Sequence, residues 1–147
     1  GMHLHQDMPP TASWHMQLCG TKRWRICPPL TSAAYCHGYV DTFDRAAVEN
    51  CPALSNTSCL ETVLQPGDQL FFPHLWWHQT QTLDPGAASI SRLMLTPSNA
   101  ALFAAAVSRY CTRGLEISPS YLRLCSALQP CLNRLQIQSK GVARPAR

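Results

Sequence analysis

The sequence predicts a mainly β domain, a sandwich or barrel of short antiparallel strands, followed by C-terminal α-helices. Three observations carry that prediction. Short runs rich in aromatic and β-branched residues alternate with Pro- and Gly-containing turns as far as residue 96. From Pro97 onward the apolar period changes from that of a strand to that of a helix. The 147 residues, 46% hydrophobic and 14% charged, are one domain's worth of chain with enough apolar material for a core. The expected organisation is a β domain over residues 1–96, a helical extension over 97–138 and a disordered tail over 139–147.

The elements follow in order. "TASWHMQL" alternates, with Trp14, Met16 and Leu18 on one side and Ser13, His15 and Gln17 on the other. It runs through the hairpin signal "CGT" into "KRWRIC", which Pro28-Pro29 stops. Residues 30–58 read as a long irregular excursion with one short helix over Asp44–Asn50, capped by Asp44 and ended by Cys51-Pro52. "CLETVL", "QLFFP", "WWHQTQTL" and "ASISRLML" then give a second series of strands, separated by "QPGD" and "DPGA" turns. "SNAALFAAAVSRYCTRG" is an amphipathic helix with Ser98 or Asn99 as its cap, Arg109 and Arg113 in its last turn and Gly114 as its stop. "SPSYLRLCSALQ" starts a second helix at Ser118-Pro119, and Pro130 is expected to divide it from a third, "CLNRLQIQ".

Composition bounds the setting. No apolar run reaches the eighteen or so residues of a membrane span, and the N-terminal residues lack the layout of a signal peptide. The net charge of +4 is divided unevenly: residues 1–108 carry five Lys/Arg against seven Asp/Glu, and residues 109–147 carry seven basic groups and only Glu116. A solvated helical face with a basic tail is the plain reading of that segment, and a nucleic-acid or acidic-protein contact is the alternative. None of the eight cysteines sits in a C-x-x-C pair, so free, mostly buried thiols and an intracellular setting, nucleus or cytoplasm, are expected. The sequon Asn56-Thr57-Ser58 and the loop cysteines Cys51 and Cys59 keep an oxidising lumen such as the endoplasmic reticulum as the alternative.

The chemistry concentrates in two places. "HLHQD" puts His5 and Asp7 on one face of an extended chain, and "WWHQTQTL" supplies His78, far away in sequence but able to face them across a rolled sheet. Two histidines and one carboxylate on one ion leave several coordination positions open, the arrangement that non-haem Fe(II) uses. Lys22, just past a hairpin on a strand otherwise holding Trp24 and Ile26, is costly to bury unless an anion meets it.

"GMHLHQDMPPTASWHMQLCGTKRWRICPP" together with "PGDQLFFPHLWWHQTQTLD" resembles the Jumonji C (JmjC) domains, a cupin-fold branch of the Fe(II)/2-oxoglutarate oxygenases. The "SW", "GxKRW" and "WWH" words are most similar to its lysyl hydroxylase and arginine demethylase group, and the likeness spans roughly residues 1–95. The resemblance implies a double-stranded β-helix, the cupin or jelly-roll barrel, here lacking the strands that precede the H-x-D motif in relatives. It implies His5, Asp7 and His78 as iron ligands and Lys22 as partner of the distal carboxylate of 2-oxoglutarate. Dioxygen and 2-oxoglutarate would be consumed, succinate and carbon dioxide released, and a substrate C–H bond hydroxylated; hydroxylation of an N-methyl group ends in demethylation. The implied substrate is a protein or peptide side chain. A catalytically degenerate metal-binding or protein-interaction cupin is the alternative.

Some positions depart from the family pattern. Met2 stands where relatives carry a hydroxyl residue, and His15 and Leu93 stand where two pocket asparagines are common. Ser91 is the expected hydroxyl contact to the co-substrate, and His15 is either a hydrogen-bonding replacement or a satisfied interior histidine. His3 is expected outside the ligand set, and His37 and His74 in solvated loops. Of Trp76 and Trp77, on opposite faces, one is expected in the core.

Overall fold

The computed structural model describes residues 1–112, 123 and 125–134. Six strands form: β1 (Ala12–Cys19), β2 (Lys22–Cys27), β3 (Leu60–Leu64), β4 (Gln69–Phe72), β5 (Trp77–Thr82) and β6 (Ala88–Met94). They make two antiparallel three-stranded sheets, ordered β4-β1-β6 and β3-β2-β5. The expected closed barrel is not what the described residues form. Each sheet stops at an edge strand, and the two face each other as in an open jelly roll. The chain divides into two compact units, Gly1–Asp7 with Ala12–Met94, and Met8–Thr11 with Leu95–Arg147.

The inward face of β1 is the polar one. Ser13 and Gln17 are almost fully buried, whereas Leu18 on the other face is exposed. Opposite them β2 sends in Trp24 and Ile26, and with Leu64 and Phe72 these form one apolar cluster, on which Leu70 and Trp76 pack. The turn between β3 and β4 closes on β1, where Gly67 N–H donates to the Gln17 carbonyl at 2.8 Å and Gln17 N–H to that of Asp68 at 3.0 Å.

Between β2 and β3 the chain is held by side chains rather than by sheet. It contains a 3-10 segment, Ser32–Gly38, and two short helices, α1 (Arg45–Glu49) and α2 (Pro52–Ser55). Asp44 caps α1 as its position predicts, accepting from the N–H groups of Ala46 and Ala47. Cys51-Pro52 does end that helix, but Pro52, at the first turn, also starts α2. Leu4, Cys27, Tyr35, Val40, Cys51, Leu54 and Trp77 form a second core cluster there. Tyr35 Oη donates to the Pro28 carbonyl and Trp77 Nε1 to that of Leu30, so both buried rings keep a partner for their polar atom.

The expectation of free thiols is overturned. Cys27 is bonded to Cys59, Cys36 to Cys51 and Cys111 to Cys125, while Cys19 and Cys131 are free and exposed. Pairing depends on Cα approach, 4.3 Å for Cys27–Cys59, which the β2–β3 register supplies, and 6.2 Å for Cys36–Cys51, which the packing of the 3-10 segment against α2 supplies; sequence spacing reveals neither. Closing a loop of about 15 residues typically contributes about 3 kcal/mol, so these bridges compensate for the little regular structure between β2 and β3.

In the second unit, α3 (Ala100–Thr112) starts directly after Asn99, whose Oδ1 accepts from the Thr96 N–H at 2.7 Å. Residues 125–134 are helical through Pro130, contrary to the division expected there. The proline ring removes one backbone donor, and its fixed φ otherwise suits a helix. The expectations for Arg113, Gly114, Ser118-Pro119 and the tail 139–147 lie outside the described residues, as does most of the basic segment. Among the described residues no helix is long and apolar enough to cross a membrane.

Gly38 packs the disulfide-held segment against the N-terminal segment at Leu4. Its φ is +80°, and a Cβ there would lie 2.6 Å from the Leu4 carbonyl oxygen. Gly38→Ala is expected to destabilise the fold by about 1–3 kcal/mol, read as a lowered urea midpoint at unchanged m-value; an unchanged midpoint would refute this packing.

Candidate metal centre

An isolated antiparallel bridge joins His5 to His78. His5 N–H donates to the His78 carbonyl at 3.0 Å and His78 N–H to that of His5 at 2.8 Å. Directly opposed residues of such a pair project to the same face, and the two imidazole centroids are 4.1 Å apart. Asp7 joins them, with Oδ1 3.8 Å from His5 Nε2 and 3.7 Å from His78 Nε2. Three ligand atoms thus lie within 4.8 Å of one another. A cation bonded at about 2.0–2.2 Å requires donors spaced by roughly 3–4 Å, so the set fits one ion.

Each ligand is oriented by its surroundings. His5 Nδ1 is 2.7 Å from the His3 carbonyl and His78 Nδ1 3.2 Å from the Trp76 carbonyl. A carbonyl only accepts, so Nδ1 carries the proton in both rings and both Nε2 lone pairs are turned to Asp7. Ser13 Oγ donates to Asp7 Oδ2 at 2.5 Å, which leaves Oδ1 for a cation. Leu75 lies in the left-handed region, φ +66°, and its carbonyl accepts from Gln6 Nε2, tying the turn before β5 to the H-x-D segment. His3 is exposed and contributes its carbonyl rather than its ring. His37 is exposed as expected, and His74 is half-buried rather than solvated.

A cavity of about 170 Å³ opens beside the triad. That is room for about five or six waters, the scale of a small metabolite. His5, Asp7 and His78 line it together with Lys22, His15 and Ser91, so the structure gathers all six residues singled out from the sequence. Ser13 and Thr80 line it as well and were not singled out. Their signal was present in the strand pattern, Ser13 two residues before His15 and Thr80 two after His78. Thr80 Oγ1 accepts from the Met2 N–H at 3.1 Å, and Met2 and Leu93 complete the apolar part of the lining.

Behind the cavity stands an aromatic wall. Trp24 meets His15 edge-on at 4.5 Å, and Phe72 lies 4.5 Å from His78 and 5.5 Å from His15. Trp77 packs on the other side of β5, 5.1 Å from Tyr35, which settles the two tryptophans: Trp77 is core, and Trp76 covers the Trp24 cluster. Lys22 Nζ sits 5.4 Å from the Trp24 ring centroid. Among the described residues no carboxylate lies within ion-pair distance of it, and desolvation lowers its pKa. An amine that is desolvated without a carboxylate beside it is a receptor for an anion.

Burial, then the neighbouring His78 and Lys22, push the His15 pKa down to about 4, against the opposing pull of Asp7. Burial and His5 likewise lower that of His78, opposed by the Trp76 carbonyl and Asp7. Between the ordinary histidine value of 6.5 and about 4 the unfolded chain takes up a proton at position 15 and the folded chain does not. The stabilisation is present above pH 6.5 and is lost as pH falls towards 4. The melting temperature should therefore drop across that window, and His15→Gln should flatten the slope; an equal slope in both proteins would refute the buried neutral imidazole.

Comparison with known proteins places this geometry. Residues 1–93 match the cupin-like domain family. The arginine-specific demethylase JMJ20 of Arabidopsis thaliana is 33% identical over 86 residues, 55% of this chain and 19% of its own length. The 2-oxoglutarate and iron-dependent oxygenase JMJD4 of Mus musculus is 32% identical over 89 residues, 55% of this chain and 21% of its own. The lysine-specific demethylase JMJ21 of Arabidopsis thaliana is 26% identical over 107 residues, 60% of this chain and 11% of its own. The chain thus spans about a fifth or less of the length of these relatives. With a family match over more than half its residues and a His-Asp-His cluster in the matched part, the chain belongs to the cupin-like domain family, in its JmjC branch.

Proposed function

We propose that this chain is the metal- and co-substrate-binding part of an Fe(II)- and 2-oxoglutarate-dependent dioxygenase that hydroxylates or demethylates a protein side chain. The observation that carries the reading is one cavity holding both a two-histidine, one-carboxylate cluster and a lysine with no carboxylate beside it. A cation with open positions and an anion with a fixed place are the two things such a reaction must bind. The names of the relatives, an iron- and 2-oxoglutarate-dependent oxygenase and demethylases specific for arginine and lysine, support the same reaction and a side-chain substrate.

Bound there, Fe(II) with 2-oxoglutarate and dioxygen would supply the oxidising power to insert one oxygen atom into a substrate C–H bond. The chain's own residues do the rest. His5 Nε2, His78 Nε2 and Asp7 Oδ1 hold the cation from one side, and Ser13 keeps the Asp7 carboxylate from rotating. Lys22 neutralises the far carboxylate of the co-substrate, with Ser91 and neutral His15 as hydrogen-bonding groups on the facing sheet. The wall of Trp24 and Phe72 shields one side of the metal cluster from water. The basic C-terminal segment is left for nucleic acid or an acidic protein. The disulfides Cys27–Cys59 and Cys36–Cys51 support an oxidising compartment such as the lumen of the endoplasmic reticulum over nucleus or cytoplasm.

Met2, His15 and Leu93 line the cavity where the JmjC resemblance implies a hydroxyl group and asparagines, and they favour a second reading in which the cation is kept and turnover is lost. Incubation with Fe(II), ascorbate and 2-oxoglutarate separates the two. The oxygenase releases succinate, His78→Ala falls to background, and Lys22→Ala raises KM for 2-oxoglutarate by about ten- to a hundredfold, the equivalent of one charge-assisted bond. Iron binding without succinate would establish the degenerate module, and no iron binding would dismiss both. A screen of peptides and RNA for a gain of one oxygen atom, absent with His78→Ala, would identify the substrate class.

A further inference from the structure

The two disulfides in the unit that carries the metal cluster share a core with the ligand segments. Leu4 and Trp77, the residues immediately before His5 and His78, are packed in one cluster with Cys27 and Cys51. Cys27 lies opposite Trp77 in the β2–β5 ladder, one step from the Ile26–His78 pair. Its bridge to Cys59 fastens the end of β2 to the start of β3, and the Cys36–Cys51 bridge closes the segment that carries Tyr35, Val40 and Leu54 onto Trp77. That segment contains no strand, and its backbone bonds are largely local turns. Its grip on Trp77 and β5 therefore comes from the covalent closures, a few apolar side chains and a small set of side-chain hydrogen bonds, Trp77 Nε1 to the Leu30 carbonyl and Gln79 with Thr42 and Asp41.

We propose that Cys27–Cys59 and Cys36–Cys51 are positioning pairs for the metal cluster, so that cation affinity depends on the thiol–disulfide state of this chain. The inference rests on the metal-binding reading above. The chain of contact runs from the bridges through Tyr35 and Trp77 to the backbone of His78, and through Leu4 to that of His5. Opening a bridge frees Trp77 and Leu4 to repack, and the two Nε2 atoms lose the shared face that the His5–His78 bridge gives them. Cys111–Cys125 belongs to the other compact unit and has no part in this cluster. Each opening takes two electrons and two protons: with a phosphine reductant and water, the phosphine becomes its oxide and the bridge two thiols.

Titration with Co(II), followed by its visible d–d absorption, tests the inference without turnover. The double variants Cys27→Ala/Cys59→Ala and Cys36→Ala/Cys51→Ala are expected to bind Co(II) about ten- to a hundredfold more weakly than the oxidised unaltered chain, the usual range for groups that orient a ligand. Cys111→Ala/Cys125→Ala should bind as the unaltered chain does. Where a variant loses its near-ultraviolet circular dichroism, the unaltered chain decides: because a bound cation stabilises the closed site against local opening, Co(II) should slow phosphine reduction of Cys27–Cys59 and Cys36–Cys51, mapped by alkylation and mass, and leave Cys111–Cys125 unaffected. Equal Co(II) affinity in folded variants, or no selective protection, overturns the positioning role. Failure of the oxidised unaltered chain to bind Co(II) overturns the metal reading instead.

Discussion

Everything in the site depends on two backbone hydrogen bonds between His5 and His78. They stand 73 positions apart in the chain, and no local preference of either segment brings them together. The pairing converts two unrelated stretches into one short antiparallel ladder and, because opposed residues share a face, settles where both imidazoles go. Asp7, two residues after His5, then arrives on that face from strand geometry alone. The rest of the domain holds this ladder still. Leu4 and Trp77 anchor it from the outer side, Trp24 and Phe72 pack against His78 from within, and Ser13 and the carbonyls of His3 and Trp76 set the rotation of each ligand.

The inversion of polarity along β1 belongs to the same economy. In a strand packed on an oily core the alternation would bury Trp14, Met16 and Leu18; here Ser13, His15 and Gln17 face inward. Desolvating such groups is unfavourable unless something inside the sheet meets them. Ser13 is met by Asp7 and Gln17 Nε2 by the Cys19 carbonyl, with Gln17 Oε1 left buried without a hydrogen-bond partner among the described residues, while His15 is held against Trp24 and Phe72 as a neutral ring. The strand thus reads as the polar wall of a binding space.

Much of this was legible in the sequence. The H-x-D pair, His78 behind two tryptophans and Lys22 after a glycine turn are local patterns whose side-chain directions follow from a period of two. Asp44 as a cap and the turn at Gly20 needed no tertiary information either, but the hairpin expected at that turn does not form, because β1 pairs with β4 and β6 and β2 with β3 and β5 in the other sheet. What depends on which distant backbones approach one another was not legible. Cys27 and Cys59 are brought to a Cα separation of 4.3 Å by the β2–β3 pairing, and their spacing of 32 residues matches no simple rule. The same holds for sheet closure, since alternation predicts strands but not whether their outer edges find partners. Ser13 was overlooked because its place two residues before His15 puts it on the inward face without showing that Asp7 lies beside it.

Strand β2 shows what its alternation guards against. Lys22, Trp24 and Ile26 face the interior, whereas Arg23 and Arg25 face out, both paired with Glu61 and lying against the Phe43 ring. Sliding this strand by a single residue would drive two guanidinium groups into the lumen and expel the largest buried ring to solvent. Misregistered pairing is therefore penalised on both surfaces at once, and the amine meets its cavity because every other placement of the strand is worse.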